Sequence, residues 1–523
     1  MRSPARTVLT TERRFGPGPI IRTGSRAAYR AVAELPGERH VVRTELAGSA
    51  SGEATPSGAP IACLVHITDL HVTDAQSPAR FEFVNRYWED PRFRELLTMQ
   101  RPQEMFNTQA IASMVRAINN LGAAPLTGEA PQIVAMTGDS VDNTQRNELT
   151  NFLALFDGGT VRPDSGAPGY DGVQRPDWPG DIYWKPDGVD GADLLQSALG
   201  FPRRPGVLDQ SVQPFASEGL GVPWLGCYGN HEEVCQGVGV VTRALEVAMT
   251  AGRKPVGPPE GLDPEHAVEA FTDHPEEFMT GEAVEVPPDQ ERRPISRGEF
   301  IDAHVRSGRH GFTAQNVDDG LAYYVHDVGV VRFMTLDTVC DAGGADGTVD
   351  GTQLHWLERR LEEVHSSFRS RDGSIVRTSN SNRYVVVLSH HGYDSLSNPR
   401  GEGRNADVLL EMLLRFSNVV LWLNGHTHYN RITSRQGTHG ERGFWEVTTG
   451  SIVDWPCQAR LIEIFETADG RVAIGSTMVD HDGEGLAGLH RELAANAPYG
   501  GFDSARSGTS ADRNAILLLP SQF

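Results

Sequence analysis

Residues Leu423 to Tyr429 read Leu-Asn-Gly-His-Thr-His-Tyr, and the apolar run Val419 to Leu423 leads directly into them. An apolar run of this length that ends at a glycine is typical of a buried strand passing into a loop. His426 and His428 lie two residues apart, so the loop can turn both imidazoles toward one point. Gly425 permits either a close backbone approach or a backbone conformation that other residues resist. Taken alone, the pair is equally well explained as two ordinary loop histidines.

Four further polar clusters follow apolar runs elsewhere in the chain. They are Asp69-x-His71 after Ile61 to Ile67, Gly138-Asp139 after Ile133 to Met136, Gly229-Asn230-His231-Glu232 after residues 222–228, and His390-His391 after Tyr384 to Leu388. Segments with helical periodicity separate them, at about Thr108 to Leu121, Asn147 to Phe156, Val241 to Ala251, Leu354 to Phe368 and Ala406 to Phe416. Alternating strands and helices with polar residues after the strands predict an α/β fold with its site at one sheet edge.

More strands are predicted outside these clusters. Ala322 to His326 and Val330 to Leu336 read as an adjacent pair, and Phe444 to Thr448, Ala459 to Phe465 and Val472 to Val479 follow later. Residues 1–58 lack periodicity, which predicts an extended or poorly ordered N-terminal segment. The main domain is expected at 59–483, with insertions at about 157–220 and 236–320, and residues 484–523 form a weakly patterned C-terminal extension.

Composition narrows the classes of function. The 523 residues carry a formal net charge of −22, which argues against a general nucleic-acid or anionic-membrane binder. A nucleotide substrate stays open, because a metal site supplies local positive charge. The five cysteines include no C-x-x-C pair, so neither a disulfide framework nor a thiolate zinc site is supported.

Targeting signals are weak. No apolar stretch approaches the length of a membrane span. Arg13-Arg14-Phe15 is similar to a twin-arginine signal, but Gly16-Pro17-Gly18-Pro19 follows in place of an apolar region. A cytoplasmic protein is the expectation, with export through a missed leader as the alternative. Oligomeric state is left open.

The clustered residue types favour metal ions over a protein nucleophile. Two carboxylates, an amide and several imidazoles form a mixed nitrogen and oxygen ligand set, which suits zinc, iron or manganese. The set is too large for one tetrahedral ion. The simplest arrangement that uses all of these ligands is two ions about 3.5–4 Å apart with one bridging carboxylate.

The five clusters, in this order, resemble the signatures of the calcineurin-like metallophosphoesterases: D-x-H, G-D-x-x-D/N, G-N-H-D/E, a later His, and G-H-x-H. Gly351-Thr352-Gln353 with Trp356-Leu357 is similar to a stretch in the phosphatase branches of that family. Asp142-Asn143 and Arg146-Asn147-Glu148 are similar to a bacterial subgroup with long inserts between the motifs. The resemblance implies a four-layer α/β/β/α sandwich of two mixed β-sheets flanked by helices, with long insertions.

The resemblance also implies a role for each matching residue. Asp69, His71 and His428 would bind a first metal ion, Asp139 would bridge, and Asn230, His390 and His426 would bind a second; the family pattern favours His390 over His391. His231 would face the substrate phosphate, to stabilise the charged transition state or protonate the leaving alkoxide. A metal-bound hydroxide would be the nucleophile, and a small-molecule phosphomonoester or phosphodiester the substrate.

Some neighbouring residues have a simpler explanation. Asp142 and Asn143 are expected to form hydrogen bonds to a metal-binding residue or to shape a turn, in preference to binding metal directly. Glu232 and Asp337 are not expected to bind metal, and His66 is expected in the core. A different function is also open. The protein would then keep the fold for binding, with negligible turnover, and the acidic insertions would cover its site.

Overall fold

The structure is a computed structural model that describes residues 8–47, 54–57, 60–308, 310–401, 406–437 and 442–521. Its strands, in chain order, are β1 (Arg13–Thr23), β2 (Ala28–Pro36), β3 (Val41–Arg43), β4 (Ala62–Ile67), β5 (Ile133–Met136), β6 (Gly159–Val161), β7 (Phe215–Ser217), β8 (Trp224–Gly226), β9 (Arg253–Pro255), β10 (Ala283–Glu285), β11 (Tyr324–Val328), β12 (Val331–Thr335), β13 (Ser367–Arg369), β14 (Ile375–Arg377), β15 (Tyr384–Leu388), β16 (Val419–Asn424), β17 (Arg431–Arg435), β18 (Phe444–Thr448), β19 (Gln458–Glu466), β20 (Val472–Asp480) and β21 (Ala515–Leu519).

The α-helices are α1 (Asn107–Asn119), α2 (Arg146–Asp157), α3 (Leu194–Leu199), α4 (Val207–Ser211), α5 (Asn230–Glu233), α6 (Arg243–Met249), α7 (Ala267–Asp273), α8 (Arg297–Ser307), α9 (Ala314–Asp319), α10 (Gly351–Glu362), α11 (Ala406–Leu414), α12 (Gly485–Asn496) and α13 (Ser510–Arg513). Short 3₁₀-helices lie at Glu82–Tyr87, Pro91–Leu96, Glu104–Phe106, Pro275–Thr280, Gln290–Arg292, Tyr393–Ser395 and Ala505–Ser507. Within the described ranges, none of these helices has the length and apolar character needed to cross a membrane.

Two mixed sheets form the centre of the fold. The larger has seven strands in the order β3-β21-β20-β19-β4-β5-β8, and β4, β5 and β8 run parallel. The smaller has six strands in the order β11-β12-β15-β16-β18-β17, with β12, β15, β16 and β18 parallel and antiparallel strands at both edges. Because parallel strands end at the same edge, the loops after each parallel set collect on one side of their sheet.

The two sheets pack face to face. The Trp445 indole of β18 donates to the Leu518 carbonyl of β21 at 3.2 Å, and the Tyr324 hydroxyl of β11 donates to the Gly226 carbonyl of β8 at 2.7 Å. One apolar core cluster contains strand residues of both sheets. The two hydrogen bonds connect the sheets at two places, and the shared core cluster fills the space between them. The facing sides of the two sheets are therefore buried against each other.

Helices cover the outer faces. Leu357 and Leu361 of α10 and Leu409 of α11 pack with Val385 of β15 on the smaller sheet. On the larger sheet, α1 contacts β20, α2 and α12. The result is the four-layer α/β/β/α sandwich that the family resemblance implied.

Strand and helix positions inferred from periodicity are mostly confirmed, apart from one helix end. The helix expected to reach Phe368 ends at Glu362, and Ser367–Arg369 forms β13 instead. Here the Asn418 side-chain amide donates to the Val364 carbonyl at 2.8 Å, and Asn382 accepts from the Ser366 N–H at 2.8 Å. These tertiary hydrogen bonds occupy backbone groups that a longer helix would need.

The N-terminal segment contains more regular structure than expected. β1 and β2 form an antiparallel hairpin, and β3 pairs in parallel with β21 of the larger sheet. Pro17 and Pro19 fit because β1 is an edge strand whose register shifts after Pro17. Residues 1–7, 48–53 and 58 of this segment lie outside the described residues.

The C-terminal extension also contributes structure. It forms α12, which packs against α1 and β2, and β21, which lies between β20 and β3. The five residues of β21 are all buried. The two insertions fold into short helices and two-stranded sheets around the site loops. All five cysteines are buried and free, so the structure contains no disulfide between Cys227 and Cys235.

Candidate metal centre

The candidate ligands lie at the carboxyl ends of neighbouring parallel strands in both sheets. Asp69 and His71 follow β4, Asp139 follows β5, and Asn230 follows β8. In the smaller sheet, His390 follows β15, and His426 and His428 follow β16. The two sheets meet here: Asp69 Oδ1 lies 3.2 Å from His428 Nε2, and Asp139 Oδ2 lies 3.1 Å from His390 Nε2.

The backbone is strained at this junction. Five of the candidate ligands have a left-handed φ angle, in the region that favours glycine: Asp69 (51°), His71 (48°), Asp139 (54°), His426 (66°) and His428 (59°). A non-glycine residue in this conformation costs of order 1–3 kcal/mol, and such residues cluster at functional sites. These φ angles belong to neither helix nor strand geometry. Contacts of the surrounding loops must therefore hold the five residues in a conformation that they do not favour.

Gly425 acts by allowing close approach. A Cβ at this position would lie 2.1 Å from Thr68 Oγ1 and 2.3 Å from Asp69 Oδ2. Its φ is not in the left-handed region, so of the two explanations for this glycine the structure supports the first. Its backbone N–H donates to the His390 carbonyl at 3.0 Å, which ties the two histidine-bearing loops together.

One group of ligand atoms comprises Asp69, His71 and His428, all buried and close enough to hold one ion. His71 Nε2 and His428 Nε2 lie 3.2 Å apart. Their other ring nitrogens are held by carboxylates: His71 Nδ1 lies 3.2 Å from Asp142 Oδ1, and His428 Nδ1 lies 2.7 Å from Asp454 Oδ2. A carboxylate behind the imidazole fixes which nitrogen carries the proton and directs the free Nε2 inward.

A second group lies around Asp139 and His390. His390 Nδ1 donates to the Thr137 carbonyl at 2.8 Å, and the Asn230 side-chain amide donates to the Gly237 carbonyl at 2.9 Å. These bonds leave His390 Nε2 facing the Asp139 carboxylate at 3.1 Å, and they leave Asn230 Oδ1 buried without a hydrogen-bond partner among the described residues. Such an unpaired buried oxygen is rare and calls for an explanation, such as an ion.

The structure separates the two adjacent histidines. His391 Nδ1 is within hydrogen-bonding distance of Thr338 Oγ1 at 2.9 Å, and its Nε2 donates to the Ala345 carbonyl at 2.9 Å. Both of its nitrogens are thereby engaged by protein, although its ring centroid lies only 4.4 Å from that of His426. His390 keeps the nitrogen that faces Asp139.

His231 lies beside both groups and reaches solvent. Its side chain is 17% exposed, and its Nε2 lies 3.9 Å from Asp139 Oδ2. Its Nδ1 donates to the Asp142 carbonyl, which leaves Nε2 as the atom facing the centre. Burial lowers the pKa of His231 to about 4, although Asp139 acts in the opposite direction.

The remaining polar residues of these motifs form hydrogen bonds or ion pairs with protein groups. The Glu232 carboxylate accepts from the backbone N–H groups of Asp139 (3.0 Å), Ser140 (2.6 Å) and Gly229 (2.8 Å), so it joins two motif loops. Asn143 donates to the Ala79 carbonyl at 2.9 Å. Asp337 pairs with Arg297 at 3.2 Å, and His66 is fully buried between two threonines.

Sequence reasoning missed the groups that hold these carboxylates. Asp454 supports His428 and is itself contacted by Arg101 and Arg506. Arg80 contacts Asp142 in a fully buried ion pair. Asp454 follows β18, which is parallel to β16, so its position after a parallel strand was an available signal.

Electrostatics favour the ionised form of Asp139 and Asp454, whereas burial and the nearby Asp139 charge raise the pKa of Glu232 to about 7. Burial alone would raise the pKa of Asp139, but His390 and His231 outweigh it and hold this pKa well below the usual range. Burial likewise acts to raise the pKa of Asp454, and Arg101 and Arg506 reverse it. The centre therefore presents negative oxygens and imidazole nitrogens to a common space, which is the environment that a cation needs.

Residues 178–430 match the family model described as calcineurin-like phosphoesterase, which confirms the resemblance for the motifs within that range. Asp69, His71 and Asp139 lie before the matched range. A dimetal phosphatase from Danio rerio is similar at 12% sequence identity with a TM-score of 0.37, covering 81% of this chain and all of that one. None of the curated proteins compared with the chain matches it.

Proposed function

We propose that the protein is a binuclear-metal-dependent hydrolase of phosphate esters. Asp69, His71 and His428 would hold the first ion, Asn230, His390 and His426 would hold the second, and Asp139 would be shared between the two. The observation that carries this proposal is two adjoining groups of buried ligand atoms, Asp69 with His71 and His428, and Asp69 with Asp139 and His390. The family match over residues 178–430 supports it.

The donor set fits the ions that the family implies. Imidazole nitrogens with carboxylate and amide oxygens suit manganese, iron or zinc, and no thiolate lies among them. Two such ions, when bound, polarise phosphoryl oxygens and lower the pKa of coordinated water to about 7.

The protein contributes orientation and charge. Asp142 and Asp454 fix the rings of His71 and His428, which lowers the reorganisation needed when ions bind. His231 holds its Nδ1 proton against the Asp142 carbonyl and presents Nε2 to the substrate side. A bound phosphate ester places negative charge beside this ring, which raises its pKa and favours the protonated form. Nε2 can then donate a proton to the leaving alkoxide.

The direct test is hydrolysis by purified protein loaded with manganese or iron. We expect p-nitrophenol release from p-nitrophenyl phosphate or its bis ester, and loss of both activity and metal in Asp139→Ala. Asp318→Asn is a matched control, because Asp318 is exposed and far from the site loops in sequence. Full activity without metal contradicts the proposal, and metal occupancy without turnover on a broad ester panel favours a binding role.

His231→Ala separates substrate chemistry from metal binding. The variant should keep its metal content but lose about 10²–10⁴-fold in rate, because a positioned proton donor typically contributes that much. Metal content by elemental analysis and rate on the same sample are the measurements. A variant that loses metal in proportion to rate would instead place His231 among the ligands.

A further inference from the structure

Arg101 is a buried arginine whose charged end is only partly used. The residue is 9% exposed, and its Nε donates to Asp454 Oδ1 at 3.0 Å. Its Nη1 and Nη2 have no hydrogen-bond partner among the described residues, and neither is among the atoms that are buried without a partner. Both terminal nitrogens therefore open to solvent from an otherwise buried side chain.

Arg101 is connected to the first group of candidate ligands through Asp454. Asp454 receives Arg101 on Oδ1 and His428 on Oδ2, so the guanidinium and the imidazole share one carboxylate. The loop is fixed there, because the Gln103 amide donates to the Val453 carbonyl at 3.0 Å and the Ile452 N–H donates to the Asp69 carbonyl at 3.2 Å.

The guanidinium of Arg101 stays charged in this buried position. Burial acts to lower its pKa, but the carboxylate of Asp454 and then that of Asp142 outweigh it and raise the pKa.

The neighbouring arginines are different. Arg80 uses Nη1 on Asp142 and Nη2 on Glu104 and the Met99 carbonyl. Arg506 uses Nη1 on Asp454 and Nη2 on the Tyr499 carbonyl at 3.5 Å. Of these three, Arg101 is the one whose two terminal nitrogens both lack a protein partner among the described residues. A guanidinium fork is suited to oxygen pairs of a phosphate.

We propose that Arg101 is a substrate-binding residue that donates to unesterified oxygens of the phosphoryl group and favours phosphomonoesters. This deepens the proposed hydrolase function and rests on it. A monoester phosphate has three unesterified oxygens and up to two negative charges, whereas a diester has two oxygens and one charge. An added cationic donor beside the ligands therefore contributes more to binding the monoester.

The test compares Arg101→Ala and Arg101→Lys with the wild-type, metal-loaded full chain. Inorganic phosphate is the binding probe, measured by calorimetry, and the two p-nitrophenyl esters are the kinetic probes. We expect the Kd for phosphate and the KM for the monoester to rise about 10–100-fold in Arg101→Ala, as expected for a lost charge-assisted pair. The KM for the diester should change by less than about threefold. Lysine should recover part of the loss, since it keeps the charge but not the fork.

Arg506→Ala is the matched control, because Arg506 contacts the same Asp454 carboxylate and has both terminal nitrogens engaged by protein. It should weaken metal binding, as judged by elemental analysis after dialysis, without the monoester-selective change in KM. The inference is overturned if Arg101→Ala binds phosphate as tightly as wild type, or if its losses follow metal content alone. A wild-type protein that binds phosphate through Arg101 yet hydrolyses no ester refutes the proposed hydrolase and leaves this site standing.

Discussion

At the residue scale, the candidate ligands are held by strained backbone and by partners behind them. The chain places Asp69, His71, Asp139, His426 and His428 at left-handed φ angles in short loops. Hydrogen bonds to Asp142, Asp454, Thr137 and Gly237 orient the side chains of His71, His428, His390 and Asn230, respectively. Because these bonds are made to protein groups, they lower the reorganisation needed when ions bind.

Asp454→Asn tests this support directly. The amide keeps the shape of the side chain but removes the negative charge that holds His428 Nδ1–H and the two arginines. We expect metal affinity to fall about 10–100-fold, the usual consequence of losing a carboxylate behind a metal-binding histidine. Competition with a chelator of known affinity gives the measurement.

The control for this prediction is Asp318→Asn, which removes an exposed carboxylate remote in sequence from the motif loops. Its metal affinity should equal that of wild type. Equal affinity in Asp454→Asn would mean that the His428 ring is oriented by packing alone.

Sequence reasoning located the motif residues but not their supporting partners. Asp69, His426 and the other candidate ligands could be recognised because they follow apolar runs at short spacing. Asp454 lies in Ser-Ile-Val-Asp-Trp-Pro-Cys, a local sequence typical of a turn, and only its position after a parallel strand sets it apart. Arg101 and Arg80 lie in a stretch without periodicity, and their role depends on which loops meet in three dimensions.

At the scale of elements, strongly apolar strands were predictable and short peripheral ones were not. β15 and β16 are continuous β-branched and apolar runs, which only a sheet buried on both faces accommodates easily. β3 and β21 have three and five residues, too few for a clear alternation. Their identity as strands comes from pairing with each other and with β20, which is a property of the whole sheet.

Leu517→Ala tests whether β21 is an integral part of the larger sheet. Leu517 is fully buried in the main apolar core, so truncation should cost about 2–5 kcal/mol of the free energy of unfolding. Urea denaturation followed by tryptophan fluorescence measures the change.

Val42→Ala is the matched control, because Val42 pairs with Ile516 in the neighbouring strand but its side chain is 49% exposed. It should cost less than about 1 kcal/mol. Similar small losses in both variants would mean that β21 packs loosely on the sheet.

At the scale of the whole molecule, the two insertions are anchored to the first motif loop by a buried ion pair. Asp74, three residues after His71, accepts from Arg292 Nε of the second insertion at 3.0 Å and from Ser165 Oγ of the first at 2.7 Å. It also accepts from the Asn147 amide at 2.7 Å. One carboxylate thus links the segments that the sequence could identify only as patternless insertions.

Asp74→Asn should destabilise the protein in a pH-dependent manner. Burial acts to raise the pKa of Asp74, but Arg292 and the hydrogen bonds from Ser165 and Asn147 outweigh it, so its pKa lies below the ordinary value. A carboxylate with a lowered pKa stabilises the folded state above its unfolded pKa of about 4, and this contribution disappears as the pH falls through the folded value. At pH 7 the substitution leaves Arg292 buried without its counter-charge, which costs about 3–5 kcal/mol.

Thermal unfolding across pH gives the measurement. The difference in midpoint between wild type and Asp74→Asn should be largest near pH 7 and should shrink as the pH is lowered below about 4, where the wild-type carboxyl becomes neutral as well. Asp318→Asn, which removes an exposed charge, should follow the wild-type curve throughout. A difference that stays constant down to pH 3 would assign the loss to altered packing at Asp74. In that case the insertions would be anchored by their apolar contacts, such as those of Trp184 and Phe201 with Phe106, rather than by charge.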